Sequence, residues 1–219
     1  MSLLLYFLIP ISAGIAFLFS LTSFLQRPVP LYLRLFPIYL LIDCMIEVLA
    51  DYKAMKFENN LLVSSLSALF SFCFYIYVVR GFVQRPKAKR ILSYFLIIIP
   101  LVFAINIFLV QKSSVFQSMT NSLGSLLVVA ACIYYFWELF QQSTYIKLGR
   151  EPAFWICSGL LFYYACSFPI YGLINFITTE IGIIKVLAII LDSVNIFLYL
   201  SFIIAFLCRL KIKKSLLSS

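Results

Sequence analysis

Seven stretches of this chain are long and apolar enough to cross a lipid bilayer, and nothing else in the sequence restricts the fold as tightly. They fall at about 3–25, 34–51, 61–80, 91–110, 118–140, 153–175 and 184–208, each near the ~20 residues a helix needs to span ~30 Å of hydrocarbon. Hydrocarbon admits only helices or closed barrels, because every backbone N–H and C=O must find its partner inside the protein. The runs are continuous and lack the in–out alternation of barrel strands. The fold class is therefore all-α, a polytopic seven-helix membrane bundle. Composition agrees: 64% of the 219 residues are hydrophobic and 11% charged, against about 45–50% and about 25% in soluble domains. Residues 1–219 read as one transmembrane domain, with connections too short to fold alone.

The basic residues set an orientation. Thirteen of the 17 lysines and arginines fall on one side: Arg27 and Arg34, then Arg80, Arg85, Lys87, Lys89 and Arg90, then Lys147 and Arg150, then Arg209, Lys211, Lys213 and Lys214. Lys53, Lys56, Lys112 and Lys185 fall on the other. The positive-inside rule predicts a cytoplasmic C-terminus and an outer N-terminus, in a cell's inner (plasma) membrane. The first run has no basic segment ahead of it and exceeds a signal-peptide core, so it reads as a retained span. The net charge of +9 fits contact with anionic headgroups and not nucleic acid. FLQRP at 24–28 and FVQRP at 82–86 echo each other, and Phe140, Gln141 and Gln142 follow at the same interval. Either a parallel helical repeat or the shared chemistry of inner helix ends accounts for this.

Absences exclude much chemistry. The chain has no histidine, which removes histidine-bound zinc, histidine-ligated haem and Ser-His-Asp catalysis. Its six cysteines form no CxxC and read as small buried hydrophobes. The last run carries its lysine, Lys185, only at the outer end, so a retinal Schiff base is not expected. No phosphate-binding glycine motif occurs. No enzyme activity, metal or cofactor is expected.

Against this background LIDCMIEVLADY at 41–52 stands out. Asp43, Glu47 and Asp51 recur every four residues, on one face of one helix. The predicted orientation puts Asp43 near mid-membrane and Glu47 about 6 Å further out. Asp192 and Asn195 in the last run reach a similar depth. Asn106, Asn121, Asn175, Ser122, Ser125 and Tyr171 also gather in the outer halves. An intramembrane carboxylate costs about 2.5–3.5 kcal/mol, and no base is expected at that depth to offset it. Protonation, a water-filled vestibule, or a bound cation or amine would each resolve the cost. An interhelical clasp of Asp43, Asp192 and Asn195 is the structural alternative. The candidate ligand-binding set is Asp43, Glu47, Asp192, Asn195, Asn106 and Tyr171.

On the inner side, Arg85, Lys87, Lys89, Arg90 and Glu138 form a candidate partner-facing set, with Glu138 also poised to pair with a nearby base. Tyr134, Tyr135 and Trp137 read as an interfacial aromatic belt. Glu151-Pro152 reads as a helix start, with proline at the first position. Ser64, Ser65, Ser67, Ala68 and Ser71 read as a small-residue face for close helix packing.

The stretch PAFWICSGLLFYYACSFPIYGLINF at 152–176, through Phe154, Trp155, Gly159, Pro169 and Gly172, resembles the penultimate helix of small bacterial seven-helix proteins associated with sensory modules of histidine kinases. That resemblance covers one helix, the topology and the WELF end of the fifth run, and it transfers no ligand residue. It implies a sensor. These 219 residues contain no kinase, PAS or HAMP segment, so a signal would leave through a separate partner, such as a histidine kinase-like protein. A receptor-like sensor with an outward acidic pocket is the leading reading. A small ion- or proton-coupled transporter and a ligand-free scaffold are the alternatives. A carrier needs polar groups on both sides of its site. The inner halves of the second, fourth and seventh runs have almost none.

Overall fold

The computed structural model describes residues 2–25, 30–55, 61–106, 117–141, 148–177 and 181–217. Among them every regular element is a helix: α1 (Ser2–Leu25), α2 (Leu31–Arg34), α3 (Phe36–Met55), α4 (Leu61–Phe82), α5 (Pro86–Ile105), α6 (Ser118–Phe140), α7 (Pro152–Ile177) and α8 (Ile181–Leu217), with a 3-10 turn at Leu148–Arg150. Five of these, within α4, α5, α6, α7 and α8, contain stretches long and apolar enough to cross a bilayer, and α1 adds a shorter apolar stretch, Leu8–Phe24. The chain is a helical, multi-pass membrane protein.

The helices differ from the apolar runs at informative places. The second run begins as a separate short helix, α2, and breaks at Leu35, two residues before Pro37. Pro37 has no N–H to return to the Leu33 carbonyl, so one bond of the helical ladder is missing where α2 gives way to α3. The fourth helix starts at Pro86, five residues before its apolar run. Charge marked RGFVQRPKAKR as a loop, but only Val83–Arg85 is non-helical. Lys, Ala and Arg are good helix formers, and proline suits the first turn. Pro10, Pro100 and Pro169 lie inside α1, α5 and α7.

Six helices close a ring in the order α1, α3, α4, α6, α7, α8 and back to α1, and α5 packs outside against α4 and α6. Glycine permits the closest approaches. A Cβ on Gly124 of α6 would lie 2.5 Å from the Phe72 ring of α4, and one on Gly159 of α7 would lie 2.7 Å from Cβ of Ser201 on α8. Small residues of this kind let membrane helices touch where lipid offers no hydrophobic drive. Toward the end of the ring where α3 begins, aromatic rings fill the interior. Phe36 meets Phe74, Phe202 and Phe206 edge-to-face, with centroids 5.2, 4.9 and 5.5 Å away.

Candidate functional site

Above that aromatic plug the ring is not filled. A cavity of about 240 Å³ lies between α3, α4, α7 and α8. Two sequence features create it. On α4, Ser64, Ser67, Ala68 and Ser71 recur at helical spacing along one wall. They leave space where larger side chains would fill the ring. This is a correction to the close-packing role expected of that face. Only Ser65, fully buried, points away from the cavity lining. On the facing helices large side chains stop short of the centre, and they are mostly tyrosines.

Six tyrosines line the space: Tyr39, Tyr75, Tyr163, Tyr164, Tyr171 and Tyr199. Several are held in place. The Tyr39 ring stacks on Phe74 with centroids 4.0 Å apart, and its hydroxyl bonds to the Ser71 and Tyr75 hydroxyls at 3.0 and 2.9 Å. Tyr75 meets Tyr164 at an interplanar angle of 67°, and Tyr164 meets Tyr163 at 82°. These three rings of the lining are thus steeply inclined to one another.

Asp43 brings a carboxyl group into this lining at 8% exposure. Among the described residues its hydrogen bond comes from the Tyr199 hydroxyl, at a long 3.4 Å. Asn195 lines the cavity from α8. The lining runs from buried Phe72 and Tyr75 to exposed Ser64 near the start of α4, so among the described residues the cavity opens toward that end of α4.

The sequence-expected ligand residues divide. Asp43, Asn195 and Tyr171 come together on the cavity wall. Asp192 is partly exposed on α8, one turn from Asn195 and outside the lining. Asn106 lies elsewhere: its amide donates to Gln117 Oε1 at 2.5 Å and Thr120 Oγ1 at 2.9 Å, joining the end of α5 to the start of α6. Glu47 occupies α3 one turn beyond Asp43, and its side chain, like those of Asp51 and Asn175, lies outside the described residues. Tyr39, Tyr75, Tyr163, Tyr164 and Tyr199 were not anticipated. Their signal was present, since a tyrosine far from both interfaces must find a partner for its hydroxyl.

The inner set is largely engaged within the molecule. Glu138, 6% exposed, accepts the backbone N–H groups of Gln84 and Arg85, both at 2.7 Å. It thus holds the backbone of Gln84 and Arg85 in place just ahead of α5, whose first residue is Pro86. Arg85 lies 4.0 Å from the same carboxylate, donates to Gln141 Oε1 and covers the Trp137 ring at 4.5 Å. Neither residue is simply offered to a partner, whereas Lys87 and Arg90 are exposed and Lys89 is partly so. Tyr135 departs from the aromatic belt: it is buried against Phe82. Beside the 3-10 turn, burial raises the pKa of the half-buried Glu151 carboxyl above its ordinary value.

No protein-family model, curated protein or solved structure matches the chain.

Proposed function

We propose that this protein is a receptor-like membrane sensor, with seven spans, an outer N-terminus and a cytoplasmic C-terminus. Its sensing site is the polar cavity between α3 and α8, bounded by α4 and α7, and its signal passes to a separate protein, such as a histidine kinase-like partner. One observation carries the reading: a tyrosine-lined cavity, with a buried carboxyl in its wall, sits above an interior packed with aromatic rings. The proposed orientation turns its mouth outward. The resemblance of α7 to sensory-module proteins points the same way. So does the exposed basic group of Lys87 and Arg90, which offers a cytoplasmic partner a surface. A carrier would need a route past Phe36, Phe202 and Phe206, all buried. No chemical transformation is assigned to the site.

Accessibility tests this. Cysteine at Ser64 should react with a membrane-impermeant maleimide in intact cells, as should cysteine at Asn59 or Ser113, and a reporter after Ser219 should read as cytoplasmic. In inside-out vesicles the Ser64→Cys protein should stay unlabelled. Labelling there would favour a carrier, and labelling of cysteines at 85–90 from outside would overturn the orientation.

A further inference from the structure

The chemistry of the lining restricts what the cavity can hold, an argument that rests on the pocket reading above. Among the described lining residues there is no lysine, arginine or histidine. A phosphate, sulfate or carboxylate ligand would enter without a counter-charge, against the Asp43 carboxyl. A bare metal ion is equally ill served. No group of three or more metal-ligating side chains occurs among the described residues, whereas hard cations take six or more oxygens at short range. The space is also too large to strip and grip an ion. About 150 Å³ accommodates benzene, so about 240 Å³ accommodates roughly ten non-hydrogen atoms.

What the lining does offer is negative potential on several sides. Aromatic faces attract cations through the ring quadrupole, and Tyr75, Tyr164 and Tyr163 stand at steep angles to one another around the space. Asp43 supplies a formal charge at the wall, with one long hydrogen bond among the described residues. The Tyr39 hydroxyl is tied to Ser71 and Tyr75, which reduces the ordering needed when a ligand binds. A primary ammonium would have to exchange its tightly held water for the serine and tyrosine hydroxyls, Asn195 and Asp43 of the lining. A methylated ammonium loses less on desolvation and presents a broad, soft cation to ring faces. We propose that this cavity binds a compact methylated ammonium cation of about ten or fewer non-hydrogen atoms, with Tyr75, Tyr163 and Tyr164 as its aromatic walls and Asp43 as its counter-charge. A neutral polyol, the other ligand that hydroxyl-rich walls could suit, has no use for the charge of Asp43.

The test is titration calorimetry on the full chain in lipid nanodiscs, with choline and tetramethylammonium as cations. The probe for charge is 3,3-dimethyl-1-butanol, which has the shape of choline with carbon in place of nitrogen. Choline should bind at least about tenfold more tightly than this neutral isostere. Tyr163→Phe should keep choline affinity within about threefold, because the ring face remains, while Tyr163→Leu and Asp43→Asn should each lower it by about tenfold or more. Equal binding of the isostere, or loss with Tyr163→Phe as large as with Tyr163→Leu, would overturn the proposal, as would absence of binding by both cations at 10-millimolar-scale concentration (roughly the weak end for specific sites). Labelling of Ser64→Cys separates the two levels. If it labels from outside but choline neither binds nor protects it, the ligand class is wrong and the pocket stands. If it does not label from outside, the pocket reading itself fails.

Discussion

Asp43 and Glu138 are almost equally buried, at 8% and 6% exposure, yet their surroundings are opposites. Glu138 receives two backbone N–H donors at 2.7 Å and has an arginine beside it. Asp43 receives a phenol at 3.4 Å and borders an open space. A buried carboxylate with a full set of short donors holds a structure together. One with a single long contact among the described residues, beside a cavity, is placed to interact with something that enters. Burial alone does not distinguish these roles; the number and shortness of the donors do.

The largest effect is expected at Glu138. Replacing it with alanine strips two part-buried backbone donors of their acceptor, at about 1–3 kcal/mol each, for about 2–6 kcal/mol in all. The thermal midpoint of purified Glu138→Ala should fall steeply, and hydrogen exchange should rise first at Gln84 and Arg85. A variant as stable as wild type would mean that the α4–α5 turn holds itself, and the contrast with Asp43 would collapse.

A medium effect is expected at the cavity wall, away from any charge. A Cβ at position 124 would overlap Phe72, which lines the cavity from α4. Gly124→Ala must displace that ring, at about 1–3 kcal/mol for overpacking. It should lower both stability and ligand affinity, as measured by thermal unfolding and calorimetry. If only stability falls, Phe72 has moved away from the cavity.

Asp43→Asn should behave differently. The contact it weakens is one long interhelical hydrogen bond, and such bonds average about 0.6 kcal/mol in membrane proteins. Its thermal midpoint should stay close to that of wild type while choline affinity drops. A stability loss as large as that of Glu138→Ala would make Asp43 a clasp between α3 and α8, the alternative that its sequence position also allows.

The sequence disclosed the helices more fully than the site. Among the described residues, apolar length located the five helices long and apolar enough to cross a bilayer, α4 to α8, because lipid forces that pattern on a chain. It misjudged the start of α5, since charged residues at an interface can still be helical. At the site, spacing and depth singled out Asp43, Asn195 and Tyr171, which line the cavity, together with Asn106, which does not. Depth along a helix follows from counting, whereas direction around it requires knowing the neighbours. The ring order explains the error at Asn106: α5 lies outside the ring, so polar groups at its end meet α6 and not the cavity. The serines of α4 show the converse. A small-residue stripe can draw a neighbour close or leave a space, and the helices facing it decide which. The Glu138–Arg85 contact was partly legible, because an acid at the end of one helix lay at the level expected of a basic turn.

The smallest effect is expected at a third carboxylate, Glu151, which is less buried than the other two and, among the described residues, has neither the donors of Glu138 nor the cavity of Asp43. Burial raises its pKa above the ordinary 4.5, so the folded protein holds this proton at a pH where the unfolded chain has released it. Between the ordinary and the raised value the folded state binds more protons, and its stability falls as pH rises through that window. Below about pH 4.5 the carboxyl is neutral in both states and the cost disappears. Glu151→Gln removes the charge at every pH. It should therefore raise the thermal midpoint slightly at pH 7, by less than about 0.5 kcal/mol at so exposed a position, and the advantage should shrink toward zero at pH 4. Opposing this, a negative charge before Pro152 interacts favourably with the N-terminal end of α7. If Glu151→Gln is less stable than wild type at pH 7, that attraction outweighs desolvation. Glu151 would then join Glu138 as a carboxylate that holds a helix start in place, and Asp43 would stand apart from both.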